Sequence, residues 1–157
     1  MKTTNPYLII PVGVPLSGKS TKIKKDYADA EVICRDSIIL ELHGSNNYNL
    51  AFKEVNQKEV DKILRERMVN ASKDMRSVVL DMTHMSAKRR KFNMSFFPNH
   101  YKVCVVFPFL TPDEWKVRND KRVAEENKHI SWGIVENMMT SFQKPDKAEG
   151  FNKIIYL

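Results

Sequence analysis

The chain has 157 residues, a formal net charge of +7, 42% hydrophobic and 29% charged residues. That balance supports a packed core and excludes an intrinsically disordered chain, and the length fits one domain over residues 1–157. No apolar run approaches the ~18 residues of a membrane span, and the N-terminus lacks the layout of a secretory signal, so we expect a cytoplasmic protein with no membrane partner. Excess positive charge favours polyanions, of which nucleic acid is the commonest, although many small basic proteins are simply soluble. Cys34 and Cys104 each sit in an apolar run, as buried thiols of a reducing compartment do.

The first predicted strand is "YLIIPV" (7–12). It runs into "GVPLSGKST", from Gly13 to Thr21. Glycine, four residues, glycine, lysine and hydroxyl between a strand and a helix is a phosphate-cradling pattern. Gly13 and Gly18 allow the turn, and the amides from Leu16 and Ser17 through Lys19 and Ser20 can point at phosphate oxygens. Lys19 reaches the β- and γ-phosphates in such a loop, and the Ser20 hydroxyl ligates Mg²⁺. The second strand is "EVICR" (31–35), with Arg35 and Asp36 at its end. In doubly wound sheets ligands bind at the carboxyl ends of strands, where a carboxylate can take a proton from an attacking hydroxyl. A purely structural alternative has Asp36 capping the helix that follows.

From about Leu50 to Met75 the apolar spacing predicts one helix. The third strand, "SVVLDM" (77–82), closes on Asp81, which in this setting holds Mg²⁺ or orients Ser20; a turn aspartate is the plainer reading. His43, His84, His100 and His129 are scattered without ligand spacing, so no zinc site is expected. Ser86 caps a basic helix carrying "KRRK" (88–91). If Lys88 or Arg89 turns toward the crevice mouth it can contact polynucleotide phosphates; otherwise the run is a solvated face. "YKVCVVF" (101–107) is the fourth strand. Thr111, Pro112 and Glu114 form a helix start, and Arg118 and Arg122, four apart in "RNDKR", share a face of that helix. They lie where a small kinase carries its lid, here about 115–130, and lid arginines neutralise charge on a transferring phosphoryl group. A surface helix with local ion pairs is the alternative. Ser131 caps a last helix through about Phe142, and "NKIIYL" (152–157) is the fifth strand. Strands alternating with helices give a three-layer α/β domain with a parallel sheet of about five strands.

The ordered combination resembles the kinase domain of the polynucleotide 5′-hydroxyl kinase family. "GVPLSGKST" looks like its G-x-P-G-S-G-K-S-T loop, "CRDS" like its N-R-D segment, and "LDMTHMSAKRR" like its D-T-N-x-x-P-E-x-R segment. "VRNDKR" is similar to the lid of its phage members, and "FQKPDKAEGFNKIIYL" resembles the stretch that ends many kinases of this branch. The resemblance implies a P-loop kinase fold, ATP as donor, Mg²⁺, and the 5′-hydroxyl of DNA or RNA as acceptor. It makes Asp36 the general base with Arg35 beside it, Asp81 the metal acid, and Arg118 and Arg122 the lid arginines on the nucleotide.

There are departures. Leu16 replaces the second loop glycine, which requires an ordinary backbone conformation there. Ile39 stands where phage members hold the acceptor phosphate with an arginine, and the nearby sequence offers no basic substitute. Alternatives are therefore a kinase acting on another hydroxyl (a modified base in phage DNA, a nucleoside or a small metabolite), an NTPase switch, or a non-catalytic nucleic-acid-binding protein. Oligomeric state is not encoded in any of these motifs.

Overall fold

The structure is a computed structural model that describes residues 5–126 and 128–157. Its elements follow one another as β1 (Tyr7–Val12), α1 (Lys19–Asp26), β2 (Glu31–Ile33), α2 (Arg35–His43), α3 (Tyr48–Glu54), α4 (Gln57–Lys73), β3 (Val78–Leu80), α5 (Ala87–Met94), β4 (Tyr101–Val106), α6 (Pro112–Glu126), α7 (Trp132–Thr140) and β5 (Lys153–Tyr156). A 3₁₀ turn at Lys147–Glu149 precedes the last strand. The five strands form one parallel sheet in the order β2-β3-β1-β4-β5.

The central strands β1, β3 and β4 are rich in apolar residues because both faces of the sheet are covered there. Leu8, Ile10 and Val12 of β1 enter one core with Val78, Leu80, Cys104 and Val106, while Ile9 turns to the other with Val79, Val103 and Val105. The first face is closed by Ile38 and Ile39 of α2, Val60, Leu64 and Met68 of α4, and Trp115 of α6; the second by Ile23 of α1 and Phe107. Burying each such side chain contributes about 1.5–3 kcal/mol, so the sheet is a stiff platform for the loops at its carboxyl edge. Cys104 is buried as expected, whereas Cys34 is only partly so.

Two features differ from the expected elements. The helix predicted from Leu50 to Met75 is two helices, because the Asn56 side chain accepts from the backbone N–H of Lys58 at 3.0 Å and of Glu59 at 3.2 Å. An asparagine at that point starts a new helix instead of continuing the old one. β2 ends at Ile33 and α2 begins at Arg35, with Cys34 at its N-cap. Arg35 and Asp36 therefore lie in the first turn of a helix and not at a strand tip, and Asp36 is too deep in that turn to cap it. The signals at Ser86 and Thr111 hold: Ser86 Oγ accepts from Arg89 N–H at 3.2 Å, and Thr111 and Glu114 cap each other reciprocally. Ser131 occupies the N-cap of α7 without a side-chain cap bond, and that helix ends at Thr140.

The basic run on α5 is divided. Lys88 and Arg89 are exposed, but Arg90 is fully buried. Its guanidinium donates to Glu149 at 2.7 and 3.1 Å and to the carbonyls of His84, Met85 and Gln143 at 2.8, 3.0 and 2.8 Å. This cluster ties the β3–α5 loop to the C-terminal tail, where Gly150 turns at φ 120° and Phe151 is buried. The tail motif thus has a packing reason: its glutamate neutralises a guanidinium that would otherwise be buried without a counter-charge.

Candidate functional site

The loop between β1 and α1 lies at the carboxyl edge of the sheet, beside the point where β1 separates β3 from β4. In open α/β sheets that reversal of strand order opens the ligand crevice. Gly13 N–H donates to Thr83 O at 3.1 Å, which locks the start of the loop to the end of β3. A Cβ on Gly13 would meet Ser17 Oγ at 2.7 Å and Phe107 Cβ at 3.0 Å, so any other residue must displace the Ser17 hydroxyl and crowd Phe107. Gly18 caps α1 with φ 93°. Leu16 also has a positive φ, 66°, contrary to the ordinary backbone expected of it. A non-glycine residue there costs about 1–2 kcal/mol, and its side chain recovers part of that by packing on the core.

Lys19 is 8% exposed and its ammonium donates to Gly13 O at 3.0 Å and Val14 O at 2.8 Å. Burial presses the Lys19 pKa down to about 8; Asp81 and Asp36 oppose that shift, and Arg122 and Lys128 reinforce it. The Ser17 hydroxyl is buried with no hydrogen-bond partner. An orphaned donor, a buried lysine and a glycine-rich turn at a helix N-terminus form a seat that fits phosphate oxygens. Ser20 Oγ donates to Asp81 Oδ2 at 2.8 Å, which brings together two hard oxygen ligands. That pair fits Mg²⁺, which takes one or two protein oxygens and completes its shell with phosphates and water. Thr21 follows on the first turn of α1.

Both oxygens of Asp36 accept hydrogen bonds. Tyr48 of α3 donates its phenolic hydrogen to Asp36 Oδ1 at 2.7 Å, and Lys128, in the segment after α6, donates to Oδ2 at 2.5 Å. Lys128 also lies over the Tyr48 ring, 4.1 Å from its centroid. Burial pushes the Asp36 carboxyl up, but the charge and hydrogen bond of Lys128, the Tyr48 hydroxyl and the charge of Arg122 prevail and hold it below the usual carboxylate range. The side chain remains 44% accessible, open to an incoming group. Ile39, in contrast, is completely buried in the core. A basic group does reach Asp36 in the fold: Lys128, 92 residues away along the chain. No local signal could have found it: it belongs to a polar stretch, and only folding brings it back over α2.

α6 carries the two arginines of the expected lid. Trp115 anchors the helix in the core, and Arg118 Nη1 donates to Leu16 O at 2.8 Å, joining helix to loop. Arg122 lies within electrostatic reach of both Lys19 and Asp36. Part of the lid expected over 115–130 falls on Asn127, outside the described residues. The other predicted side chains are placed differently. Arg35 turns from the crevice to α4, donating to Asp61 Oδ1 at 3.2 Å and Gln57 Oε1 at 2.6 Å. Lys88 and Arg89 border a shallow hollow with Ser86 and Phe92. His84 is buried with φ 50°; Nδ1 donates to Pro11 O at 2.9 Å, and Nε2 accepts from Asn93 at 3.0 Å. Burial pushes its pKa down to about 4, so it is a neutral strut behind the loop.

The AAA-domain family matches residues 8–145. The chain belongs to that family. Among solved structures this AAA domain superposes on a chain of the Pnkp1/Rnl/Hen1 RNA repair complex with TM-score 0.71 and 24% identity, over 89% of this chain and 45% of that one. It superposes on a gluconokinase from Sinorhizobium meliloti with TM-score 0.56 and 15% identity, over 98% and 82% of the two chains. It also superposes on Kti12 of Chaetomium thermophilum in complex with ADP-AlF3, with TM-score 0.60 and 14% identity, over 96% and 88%. The AAA domain spans less than half of the RNA-repair chain. At these identities the likeness is one of fold, and that fold is the P-loop kinase-like α/β domain. No curated protein matches the sequence. Among the described residues no helix is long and apolar enough to cross a membrane.

Proposed function

We propose that the chain is a kinase that moves the γ-phosphate of ATP to a 5′-hydroxyl of DNA or RNA. What supports this reading is that a buried Lys19, a carboxylate at Asp36 held below its usual range, and Arg122 lie within electrostatic reach of one another. A switch that only hydrolyses nucleotide has no evident use for a carboxylate set opposite the seat.

In this mechanism the loop amides and Lys19 hold the β- and γ-phosphates. Mg²⁺, held by Ser20 with Asp81, would neutralise charge on those phosphates. Asp36 takes the proton of the acceptor hydroxyl as its oxygen approaches in line. Arg122 balances charge on the transferring group, while Arg118 fixes the lid to the loop. Positioning and electrostatics supply most of the acceleration in this class. The basic surface, with Lys88 and Arg89 on α5, suits the phosphates of a polynucleotide acceptor.

A second reading, a kinase acting on another hydroxyl, is favoured by the burial of Ile39 where the resemblance places an acceptor-binding arginine. Labelled ATP incubated with 5′-hydroxyl DNA, 5′-hydroxyl RNA, nucleoside 3′-monophosphates and a duplex bearing hydroxymethylated bases separates the two. Transfer to 5′ ends that is lost in Asp36→Asn is the expected result. Label found only on the modified bases selects the second reading.

A further inference from the structure

Lys128 is absorbed by no motif. It is 6% exposed, although it lies in a polar segment. The segment is clamped from two sides: Asn49 of α3 accepts from His129 N–H at 3.3 Å, and Asn119 of α6 accepts from Ile130 N–H at 3.4 Å. The two residues that follow Lys128 are thus tied to α3 and α6. The ammonium bonds one oxygen of Asp36 and the Tyr48 hydroxyl bonds the other. A carboxylate held in this way is a poor proton acceptor, because taking a proton means losing a charge-assisted hydrogen bond.

We propose that Lys128 determines acceptor specificity: it keeps Asp36 ion-paired, so that the carboxylate does not take a proton from water, and yields it only to a hydroxyl carried beside an anionic group. This rests on the kinase reading above. An acceptor bearing a phosphate next to its hydroxyl offers the ammonium a new counter-charge. Lys128 then leaves Oδ2 for that phosphate, still over the Tyr48 ring. The freed Oδ2 receives the hydroxyl proton, the acceptor oxygen bonds to the γ-phosphorus, and the bond from that phosphorus to the bridging oxygen breaks with its electron pair leaving on ADP. Water brings no anion, so the ammonium stays on Asp36 and hydrolysis is suppressed. The charged groups around Asp36 sort accordingly. Lys19 and Arg122, which also act on each other, are taken up by the donor phosphates in the kinase reading, and Arg35 is engaged by Asp61 and Gln57. Lys128 is left to answer to the acceptor.

The test compares wild type with Lys128→Met and Lys128→Arg on two acceptors sharing one hydroxyl, a nucleoside 3′-monophosphate and the same nucleoside without phosphate. Release of inorganic phosphate from ATP without acceptor is measured in parallel, and thermal unfolding checks that each variant is folded. Removing one charge-assisted bond predicts that Lys128→Met loses about tenfold or more of the preference in kcat/KM for the phosphorylated acceptor. It should also release phosphate from ATP severalfold faster than wild type. Lys128→Arg, which keeps the charge, retains the preference and the low hydrolysis. An unchanged preference, or unchanged hydrolysis, in folded Lys128→Met overturns the proposal. Wild-type transfer to no hydroxyl acceptor would instead sink the kinase reading, and the hydrolysis comparison would still decide whether Lys128 restrains Asp36.

Discussion

Burial presses the pKa of Lys19 down to about 8. A bound polyphosphate restores the charged form, so nucleotide binding near pH 8 takes up a proton. Titration calorimetry in two buffers of different ionisation enthalpy should read this as a net uptake, with affinity falling as pH rises through 8. Lys19→Met should abolish the uptake and lower transfer by at least about a hundredfold. His84 works in the opposite pH range. Its imidazole has an ordinary pKa of 6.5 and is held near 4 in the fold, so the unfolded chain binds the extra proton first. The stability His84 contributes as a neutral strut is complete above pH 6.5 and is lost as pH falls toward 4, on the order of 3 kcal/mol. Denaturant midpoints across that range check it, and His84→Gln should flatten the slope.

At the scale of elements, the tail and α5 are coupled through a charge with no access to water. Arg90→Ala leaves Glu149, 8% accessible at its side chain, without its counter-charge. We expect a loss of about 3–5 kcal/mol, read by urea denaturation. Asn56→Ala removes the cap of α4 and should cost about 1 kcal/mol, whereas Lys88→Ala, on the exposed face of α5, should stay within about 0.5 kcal/mol. The same elements show what was legible beforehand. All five strands were: the central ones leave apolar runs because they are buried on both faces, and the edge strands β2 and β5 still carry short β-branched runs. The break at Asn56 was hidden, because the apolar spacing runs on across it and capping depends on which amides the side chain reaches. Arg90 looked like one of four surface cations; its burial depends on a glutamate 59 residues away.

For the whole molecule the governing quantities are the sheet order and the net charge of +7. The order β2-β3-β1-β4-β5 sets the loops after β1 and β3 side by side, so Ser20 and Asp81, 61 residues apart, share a hydrogen bond. The charge predicts that the Kd for a 5′-hydroxyl oligonucleotide weakens steeply with salt, log Kd rising linearly with log salt concentration. Fluorescence anisotropy between 50 and 200 mM salt, the range over which about six phosphate contacts cost on the order of a thousandfold, measures that slope. A flat response would mean that the surface charge does not meet a polyanion.

By itself the sequence determined the phosphate loop, the parallel α/β class, the helix starts at Ser86 and Thr111, and the candidate residues Lys19, Ser20, Asp36, Asp81, Arg118 and Arg122. These are written in local spacing, since a turn, a cap or a strand is made by neighbours in the chain. Tertiary structure decided the left-handed backbone at Leu16, the turning of Arg35 to α4, the burial of Arg90 on Glu149, and the hydrogen bonding of Asp36 by Tyr48 and Lys128. Each of these pairs groups distant in the chain or answers to space filled by other elements. Charge and packing act through distance in space, which residue spacing along the chain does not record.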